Sequence, residues 1–170
     1  MQLGFRLTFP IVRCLMQIVA PAASAADLDE VRALFREYSA LVAEALCFQN
    51  YDAELAALPG DYAPPGGTLL LARDARGAVG CVGLRRHNPE SGEMKRMYVR
   101  ERGRGSGLGR KLALAVIEES RQRGYRRLLL DTLPKLAPAI ALYRSLGFRE
   151  IGPYLACPTP GAICFELRLS

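Results

Sequence analysis

The apolar residues of this chain follow two spacings, one typical of helices and one of strands, and the two alternate along its length. Between residues 27 and 46, apolar side chains recur at steps of three and four, which predicts an amphipathic helix. This stripe consists of Leu28, Val31, Phe35, Tyr38 and Val42. We expect Asp27 to be the N-cap of the helix, with Glu30 completing a capping box.

Short apolar runs bounded by turn-forming residues predict strands in the rest of the chain. The predicted strands cover residues 17–20, 68–73, 78–85, 92–99, 127–131, 148–152 and 162–169. Further helices are predicted at 51–57, from Leu108 to a stop at Gly124, and at 138–146. Helices between and beside strands indicate a layered α/β domain.

Length and charge narrow the class of protein. The chain has 170 residues, enough for one domain with a sizeable core, and a net charge of +6. Much of the basic excess lies between Lys95 and Arg127 and suits a ligand with several phosphates. Nucleic acid is an alternative ligand, but no helix-turn-helix, zinc-finger or RNP signature accompanies the charge, so we predict no nucleic-acid partner.

The cysteines and the single histidine indicate neither disulfides nor a metal site. Five cysteines are widely spread without a C-x-x-C pair: Cys14, Cys47, Cys81, Cys157 and Cys164. An odd number without framework spacing favours reduced thiols in a cytoplasmic protein. His87 lies in the segment RRHNPESG, where we predict a surface turn, and no metal ligands cluster around it.

The first residues allow two interpretations. An early Arg6, an apolar stretch and a small-residue end near Ala26 resemble a signal peptide. However, Pro10 and Arg13 interrupt the apolar stretch, and Met16 begins a segment that reads as strand, loop and helix. We therefore predict an N-terminal extension or upstream start at residues 1–15 and a single domain at 16–170. No apolar stretch is long enough to span a membrane, so no membrane partner is predicted.

The most specific signal is the segment MYVRERGRGSGLGRK at residues 97–111. A predicted strand ending at Val99 is followed by glycines at every second position from Gly103 to Gly109, and then by a helix. Glycine allows backbone N–H groups to approach a ligand, and a helix N-terminus attracts negative charge. The segment therefore predicts a phosphate or pyrophosphate site. Its spacing excludes the Rossmann fingerprint G-x-G-x-x-G and the Walker A loop.

Two motifs resemble those of one enzyme family. The pattern Arg104-x-x-Gly107-x-Gly109 resembles the acetyl-CoA motif R/Q-x-x-G-x-G/A of the GNAT acetyltransferases. This motif lies about forty residues upstream of the segment AIALYRSLGF at 139–148, which resembles the family segment A-x-x-L-Y-x-x-L-G-F. The resemblance covers roughly Met16 to Leu169. One position departs from the family, because Leu136 stands where many members carry an asparagine that touches the cofactor.

The resemblance implies a fold and a cosubstrate. The expected GNAT fold is a mixed sheet of about six to seven strands, splayed between strands 4 and 5 and flanked by about four helices. Acetyl-CoA would enter this gap, and the backbone of Met97, Tyr98 and Val99 would pair with its pantetheine arm. The glycine turn would hold the pyrophosphate, with added charge from Arg104 and Arg110. The turn residues are Arg104, Gly105, Ser106, Gly107, Leu108, Gly109, Arg110 and Lys111.

Acetyl transfer to an amine requires a proton acceptor for the amine, donors for an oxyanion and a proton for the leaving thiolate. Tyr143 matches the family tyrosine that faces the thioester sulfur and is the candidate acid. Glu93 is the candidate base, directly or through water, because an even spacing should place it on the same face as Met97 and Val99. The Val99 N–H is the expected oxyanion donor.

Structural roles remain alternatives for the two candidate catalytic side chains. Tyr143 could be a packed aromatic, and Glu93 could form a salt bridge to Lys95 or Arg85. Cys81 and Cys164 lie in apolar strands, where a cysteine behaves as a small hydrophobe. The sequence therefore favours direct attack in a ternary complex over an acyl-enzyme.

The sequence leaves the acceptor open. The acceptor wall would include the residues Tyr38, Phe48, Gln49, Tyr51 and Tyr154. Small-molecule and peptide amines both remain open, as do a monomer and a homodimer. The alternative function is a CoA-binding regulatory module that has lost turnover.

Overall fold

The structure is a computed structural model that describes residues 17–46, 51–156 and 159–169, with the side chains of α1 described as far as Val42. In chain order the elements are β1 (Ile18–Pro21), α1 (Ala25–Leu46), α2 (Tyr51–Ala57), β2 (Thr68–Asp74), β3 (Gly77–Asn88), β4 (Ser91–Val99), α3 (Leu108–Gln122), β5 (Arg127–Thr132), α4 (Ala137–Ser145), β6 (Arg149–Ile151) and β7 (Ile163–Arg168). Most of the predicted elements are confirmed within a few residues.

The strands form one mixed sheet in the order β1-β2-β3-β4-β5-β7-β6. The pair β4–β5 is parallel, and the neighbouring pairs are antiparallel. The parallel pairing covers only Ser91–Glu93 against Arg127–Leu129, although both strands continue beyond it. This seven-stranded sheet, which opens between its fourth and fifth strands, confirms the predicted fold class.

Helices cover both faces of the sheet, and each face has its own apolar core. On one side, which we call the α3–α4 face, residues such as Leu112, Val116 and Tyr143 pack on the sheet. On the other side, the α1–α2 face, residues such as Leu34 and Phe35 pack on it. The gap between β4 and β5 therefore lies between two helical layers.

The start of α1 differs from the prediction. Ser24 is the cap: its Oγ accepts from the Asp27 N–H at 3.1 Å, and Asp27 Oδ2 accepts from the Ser24 N–H at 2.8 Å. This reciprocal pair is a capping box one turn earlier than predicted, with Asp27 at the third helical position. The Asp27 carboxylate also binds the guanidinium of Arg73 on β2. These hydrogen bonds, chiefly those from Ser24, hold the pKa of Asp27 well below its usual range.

The prediction of a surface turn at His87 is wrong. His87 lies in β3, which extends to Asn88, and its ring packs edge-on against Tyr154 at a centroid distance of 5.3 Å. The turn is shorter than predicted because Ser91, at the start of β4, pairs with Asn88.

Candidate active site

The gap beyond the last β4–β5 pair forms a pocket that opens onto both helical layers. Its floor consists of β4 residues 94–97 and β5 residues 130–132. Tyr38 and Val42 of α1 line it on one side, and Tyr143 of α4 lines it on the other. A ligand in this gap would therefore contact strand backbone together with side chains from both faces of the sheet.

The glycine turn between β4 and α3 has the geometry of an anion site. Gly105 and Gly107 have φ angles of 73° and 80°, and a Cβ at either position would meet no atom within 4 Å. Among the described residues, the backbone N–H groups from Gly105 to Arg110 have no carbonyl acceptor, whereas Lys111 bonds to Gly107. Free N–H groups at a helix N-terminus suit a phosphate. The residues present therefore fit the pyrophosphate predicted here.

The basic and hydroxyl side chains of the turn bind protein atoms in this structure. Arg104 Nε donates to the Val99 carbonyl oxygen at 3.1 Å, and Arg110 Nη1 donates to Ser145 Oγ at 3.0 Å. The hydroxyl of Ser106 donates to the Gly103 carbonyl at 2.7 Å. Arg104, Arg110 and Lys111 are all exposed. Their positive charges therefore surround the turn, while the free N–H groups provide its directed donors.

The backbone N–H and C=O groups of Tyr98 and those of Val99 point to opposite sides of β4. The Arg100 N–H donates to the Val79 carbonyl at 2.9 Å, which makes Val99 and Gly80 a non-hydrogen-bonded antiparallel pair. The N–H and C=O of Val99 therefore point away from β3 and toward the gap. Because orientation alternates along a strand, the backbone of Tyr98 faces Cys81 of β3. We expected the backbone of Tyr98 to face the gap, and this expectation is wrong because it faces β3. The same expectation for the Val99 backbone fits the structure.

A β-bulge at Arg96 changes which face of the sheet the side chains of β4 point to on its two sides. From Cys81 to Gly83 β3 advances two residues, while its partners on β4, Tyr98 and Lys95, lie three apart. Arg96 is the extra residue, and its φ of 58° is the only positive value outside glycine in the described part of the chain. A bulge of this kind places two residues opposite one.

Because of the bulge, the Glu93 side chain points to a different face of the sheet from the one expected. Met94, Met97 and Val99 all pack on the α3–α4 face. Glu93, adjacent to Met94, therefore points to the α1–α2 face, as Lys95 does. The prediction that Glu93 shares a face with Met97 and Val99 is wrong, because simple alternation does not count the extra residue.

Glu93 is buried among three polar partners. Its side chain is 1% exposed. Oε2 accepts from Arg85 Nε at 2.6 Å, and Oε1 accepts from the Tyr154 hydroxyl at 2.9 Å. Lys95 Nζ lies 3.5 Å from Oε1. The salt bridges to Arg85 and Lys95 foreseen as an alternative are present, so the carboxylate is oriented from three directions.

Lys95 also connects the two strands across the opening of the gap. Its Nζ lies 2.6 Å from Asp131 Oδ1, and the two side chains are 5% and 9% exposed. Asp131 stands two residues beyond Leu129, where pairing with β4 ends. This buried ion pair bridges the strands at the point where they separate.

Tyr143 lines the gap from the α3–α4 face. Its ring packs against Phe148 and Phe165 at centroid distances of 5.8 and 6.2 Å. Burial raises the pKa of its phenol above the usual value of 10.0. The side chain is therefore both a packed aromatic and a protonated hydroxyl at neutral pH.

The residues predicted to contact the acceptor differ in their position relative to the gap. Tyr38 lines the gap, and Tyr51 lies beneath Arg96, with the guanidinium carbon 5.0 Å from the ring centroid. Tyr154 lies beside Glu93, as described above. Phe48 and Gln49 fall outside the described residues.

Sequence reasoning named Arg85 and Lys95 only as salt-bridge partners of Glu93, and it missed two charged residues of the gap, Arg96 and Asp131. Arg85, Lys95 and Arg96 lie inside strands, and Asp131 lies near the end of β5. The available signal was the charge itself, because a central strand buries its side chains, and charged residues are rarely buried without a partner. The partners of Arg96 and Asp131, which are Glu54 and Lys95, could not be read from the pattern, since they lie 42 and 36 residues away in sequence.

Clusters of metal-ligating side chains and membrane-spanning helices were sought in the described ranges. Within residues 17–46, 51–156 and 159–169, no group of three or more His, Cys, Asp or Glu side chains is placed to hold a metal ion. In the same part of the chain, none of the helices has the length and apolarity needed to cross a bilayer.

The structure thus combines a mixed sheet that opens between β4 and β5 with a glycine turn whose free N–H groups suit a phosphate. The model of the acetyltransferase (GNAT) family matches residues 28–148. The chain therefore belongs to the GNAT family, whose cosubstrate is acetyl-CoA, and it is an N-acetyltransferase.

The chain is also similar to a relative in sequence and to solved structures that share its fold. The chain is 42% identical over 146 residues to an uncharacterized N-acetyltransferase of Schizosaccharomyces pombe, covering 85% of this chain and 90% of that protein. It is similar in fold to an acetyltransferase from Streptococcus agalactiae, with a TM-score of 0.77, 19% identity and coverage of 90% and 98% of the two chains. It is also similar to yncA of Salmonella typhimurium, solved with its cofactor acetyl-CoA, with a TM-score of 0.72, 20% identity and coverage of 91% and 94%.

Proposed function

We propose that this enzyme transfers the acetyl group of acetyl-CoA to a primary amine by direct attack within a ternary complex. The observation that carries the proposal is the gap itself, which Tyr143 lines from one helical layer and Tyr38 from the other. Bound there, acetyl-CoA supplies an activated thioester. Donor and acceptor can then approach the same point from opposite faces of the sheet.

Residues on the α3–α4 side would hold the donor. The free N–H groups from Gly105 to Arg110 suit its pyrophosphate, and Arg104, Arg110 and Lys111 add positive charge. The Val99 backbone faces the gap, so its N–H can donate to the oxyanion that develops during transfer. Arg104 would exchange its bond to the Val99 carbonyl for one to phosphate. The Met97 side chain would pack along the donor arm.

Tyr143 would protonate the leaving thiolate. Its phenol lines the gap, and its raised pKa keeps it protonated at working pH. A protonated phenol can donate to sulfur without first acquiring a proton. Packing against Phe148 and Phe165 would hold the ring in position.

Glu93 would accept the amine proton, directly or through water. It points to the α1–α2 face, from which the acceptor would enter, and three partners fix its orientation. A buried, oriented carboxylate near the reacting amine can act as a general base. Glu93 is not among the residues that line the gap, which favours transfer through a bridging water over direct contact.

A covalent acyl-enzyme is disfavoured. Of the cysteines in the described ranges, Cys81 and Cys164 are both buried. Burial raises the pKa of each thiol above its usual value of 9.0. Because the thiolate is the nucleophile, these cysteines are poorly suited to accept an acetyl group. Buried, reduced thiols also fit the cytoplasmic location predicted from the sequence, which we retain as part of this proposal.

A thiol-release assay with acetyl-CoA and a panel of primary amines tests this function. We expect Glu93→Gln to slow turnover with an accepted amine by about 10²–10⁴-fold. The acetyl-CoA-induced rise in melting temperature should remain, since Glu93 lies on the acceptor face. The matched control is Glu118→Gln on the exposed face of α3, which should leave the rate unchanged.

One result would contradict the proposed transfer reaction, and another would contradict the proposed role of Glu93. Stabilisation by acetyl-CoA without thiol release for any amine would indicate a CoA-binding regulatory module. Full turnover in Glu93→Gln would exclude Glu93 as the base, while leaving the transfer reaction intact.

A further inference from the structure

Arg96 is a buried charged residue of the gap with an unusual backbone conformation. The bulge gives it a φ of 58°, a left-handed conformation that is strained for a residue with a side chain. This conformation places Arg96 in the wall of the gap, on the α1–α2 face. Strain of this kind persists where the surrounding structure fixes it, and it is frequent at ligand sites.

The guanidinium of Arg96 is held rigidly from behind. Glu54 of α2 accepts from Nε at 3.0 Å and from Nη2 at 2.6 Å. Glu54 is itself fixed by the Tyr62 hydroxyl at 2.6 Å, and the Tyr51 ring lies against the guanidinium. The side chain of Arg96 is only 3% exposed. Its orientation is therefore set before any ligand arrives.

Part of this guanidinium remains available to a ligand. Arginine has five N–H groups, and Glu54 accepts from two of the nitrogens, which leaves Nη1 without a carboxylate partner among the described residues. The hydroxyl of Tyr38, which also lines the gap, lies beside the guanidinium. Arg96 and Tyr38 thus place two donor groups side by side in the lining of the gap.

At this point the lining of the gap presents the cationic member of an ion pair. Its charged lining side chains are Lys95, Arg96 and Asp131. Lys95 and Asp131 pair with each other, whereas the partner of Arg96, Glu54, lies outside the lining. The donor phosphates are not the anion concerned, because their turn precedes α3, whose apolar residues pack on the opposite face of the sheet.

We propose that Arg96, assisted by Tyr38, binds a carboxylate of the acceptor, so that the enzyme acetylates an amino acid or another small amine that carries a carboxylate. This inference rests on the proposed function and adds the substrate class to it. A planar guanidinium fits a carboxylate better than any other side chain does. Held in this way, the acceptor would direct its amine along the gap toward Glu93 and Tyr143.

The test compares free amino acids with their carboxamides in the thiol-release assay. Each pair keeps the amine and the side chain and differs in the α-carboxylate, while asparagine and glutamine provide the same comparison for side-chain carboxylates. We expect kcat/KM for at least one carboxylate acceptor to exceed that for its amide by about 100-fold. Equal use of acids and amides would overturn the inference and leave amine acetylation intact. Failure of every amine would overturn the proposed function as well.

The variant Arg96→Lys identifies the residue responsible. It keeps the charge but loses the planar pair of donors, so kcat/KM for the carboxylate acceptor should fall by about 10–100-fold, mostly through KM. The residual rate with the amide should stay within about threefold, as should both rates in the exposed control Arg126→Lys. An equal loss with acid and amide would show that Arg96 has only a structural role.

A second variant covers the case in which Arg96→Lys does not fold. Tyr38→Phe removes one hydroxyl and keeps the ring, so it should be well tolerated. We expect KM for the carboxylate acceptor to rise by about 3–10-fold, with KM for acetyl-CoA unchanged. An unchanged KM for the acceptor would contradict the role of Tyr38 in the carboxylate site.

Discussion

The hydroxyl of Tyr154 donates a 2.9 Å hydrogen bond to Oε1 of Glu93. Tyr154 lies between β6 and β7, while Glu93 lies in the central strand β4, so the contact spans 61 residues of sequence. Burial, followed by the charge of Glu93, raises the pKa of Tyr154 well above its usual value. The phenol therefore stays protonated, and it connects this segment to the candidate base.

The first prediction concerns this contact. Tyr154→Phe leaves the ring against His87 but removes the donor to Glu93, so the carboxylate loses one of its three orienting partners. We expect kcat with a good amine to fall by about 3–10-fold while KM for acetyl-CoA is unchanged. Steady-state kinetics would measure both. A change in KM for acetyl-CoA with an unaltered kcat would argue against a positioning role.

The second prediction concerns Tyr143 as the acid. Tyr143→Phe keeps the packing on Phe148 and Phe165 and removes only the hydroxyl, so kcat should fall by about 10²-fold with little change in stability. Because burial raises the pKa of Tyr143 above 10.0, its deprotonation should cause no loss of activity up to pH 9 in the wild-type enzyme. A rate in Tyr143→Phe equal to that of wild type would exclude the hydroxyl from catalysis.

The third prediction concerns the conformation of the glycine turn. At Gly107 a Cβ would meet nothing within 4 Å, so the cost of Gly107→Ala comes from the φ of 80° alone. We expect a loss of about 1 kcal/mol, measured either in the free energy of unfolding or as about a fivefold rise in the dissociation constant of acetyl-CoA.

Gly152 provides the matched control for that variant. A Cβ there also meets nothing within 4 Å, but its backbone does not have a left-handed φ. Gly152→Ala should therefore change stability by less than about 0.5 kcal/mol. Equal behaviour of the two alanine variants would show that the turn tolerates a side chain.

The fourth prediction concerns pH and the ion pair between α1 and the residue that follows β4. Arg100 Nε donates to Glu37 Oε2 at 2.9 Å, and these hydrogen bonds lower the pKa of Glu37 from its usual value of 4.5. A carboxyl whose pKa is lowered in the folded state stabilises the fold above pH 4.5. That contribution is lost as the pH falls through the lower, folded-state pKa.

Glu37→Gln should therefore lower the melting temperature at pH 7 and have progressively less effect below pH 4.5. The two side chains are 39% and 26% exposed, so solvent screening limits the contribution to about 0.2–1 kcal/mol. Melting curves of both proteins between pH 3 and pH 7 would measure the difference. A difference that stays constant with pH would mean that the pair does not contribute through its charge.

Local pattern was sufficient for much of this structure. The helical stripe on α1, the strand limits and the glycine stop at Gly124 all depend on neighbours within a few residues, and each is confirmed within one to a few positions. The donor site is of the same kind, because the turn from Gly105 to Gly109 and the start of α3 are contiguous. The sequence therefore directly locates the glycine turn for which we propose phosphate binding.

Only the tertiary structure decided how the charged residues on the proposed acceptor side are arranged. The bulge at Arg96 depends on the register of β4 against β3, which alternation along one strand cannot reveal, and it moves Glu93 to the face opposite Met97. The partners of Arg96 and Lys95, Glu54 and Asp131, are 42 and 36 residues away in sequence. Two motifs in the sequence determined the family and the donor. Only the folding of distant strands and helices against each other determined which charges meet in the gap, because the residues that pair there lie far apart in sequence.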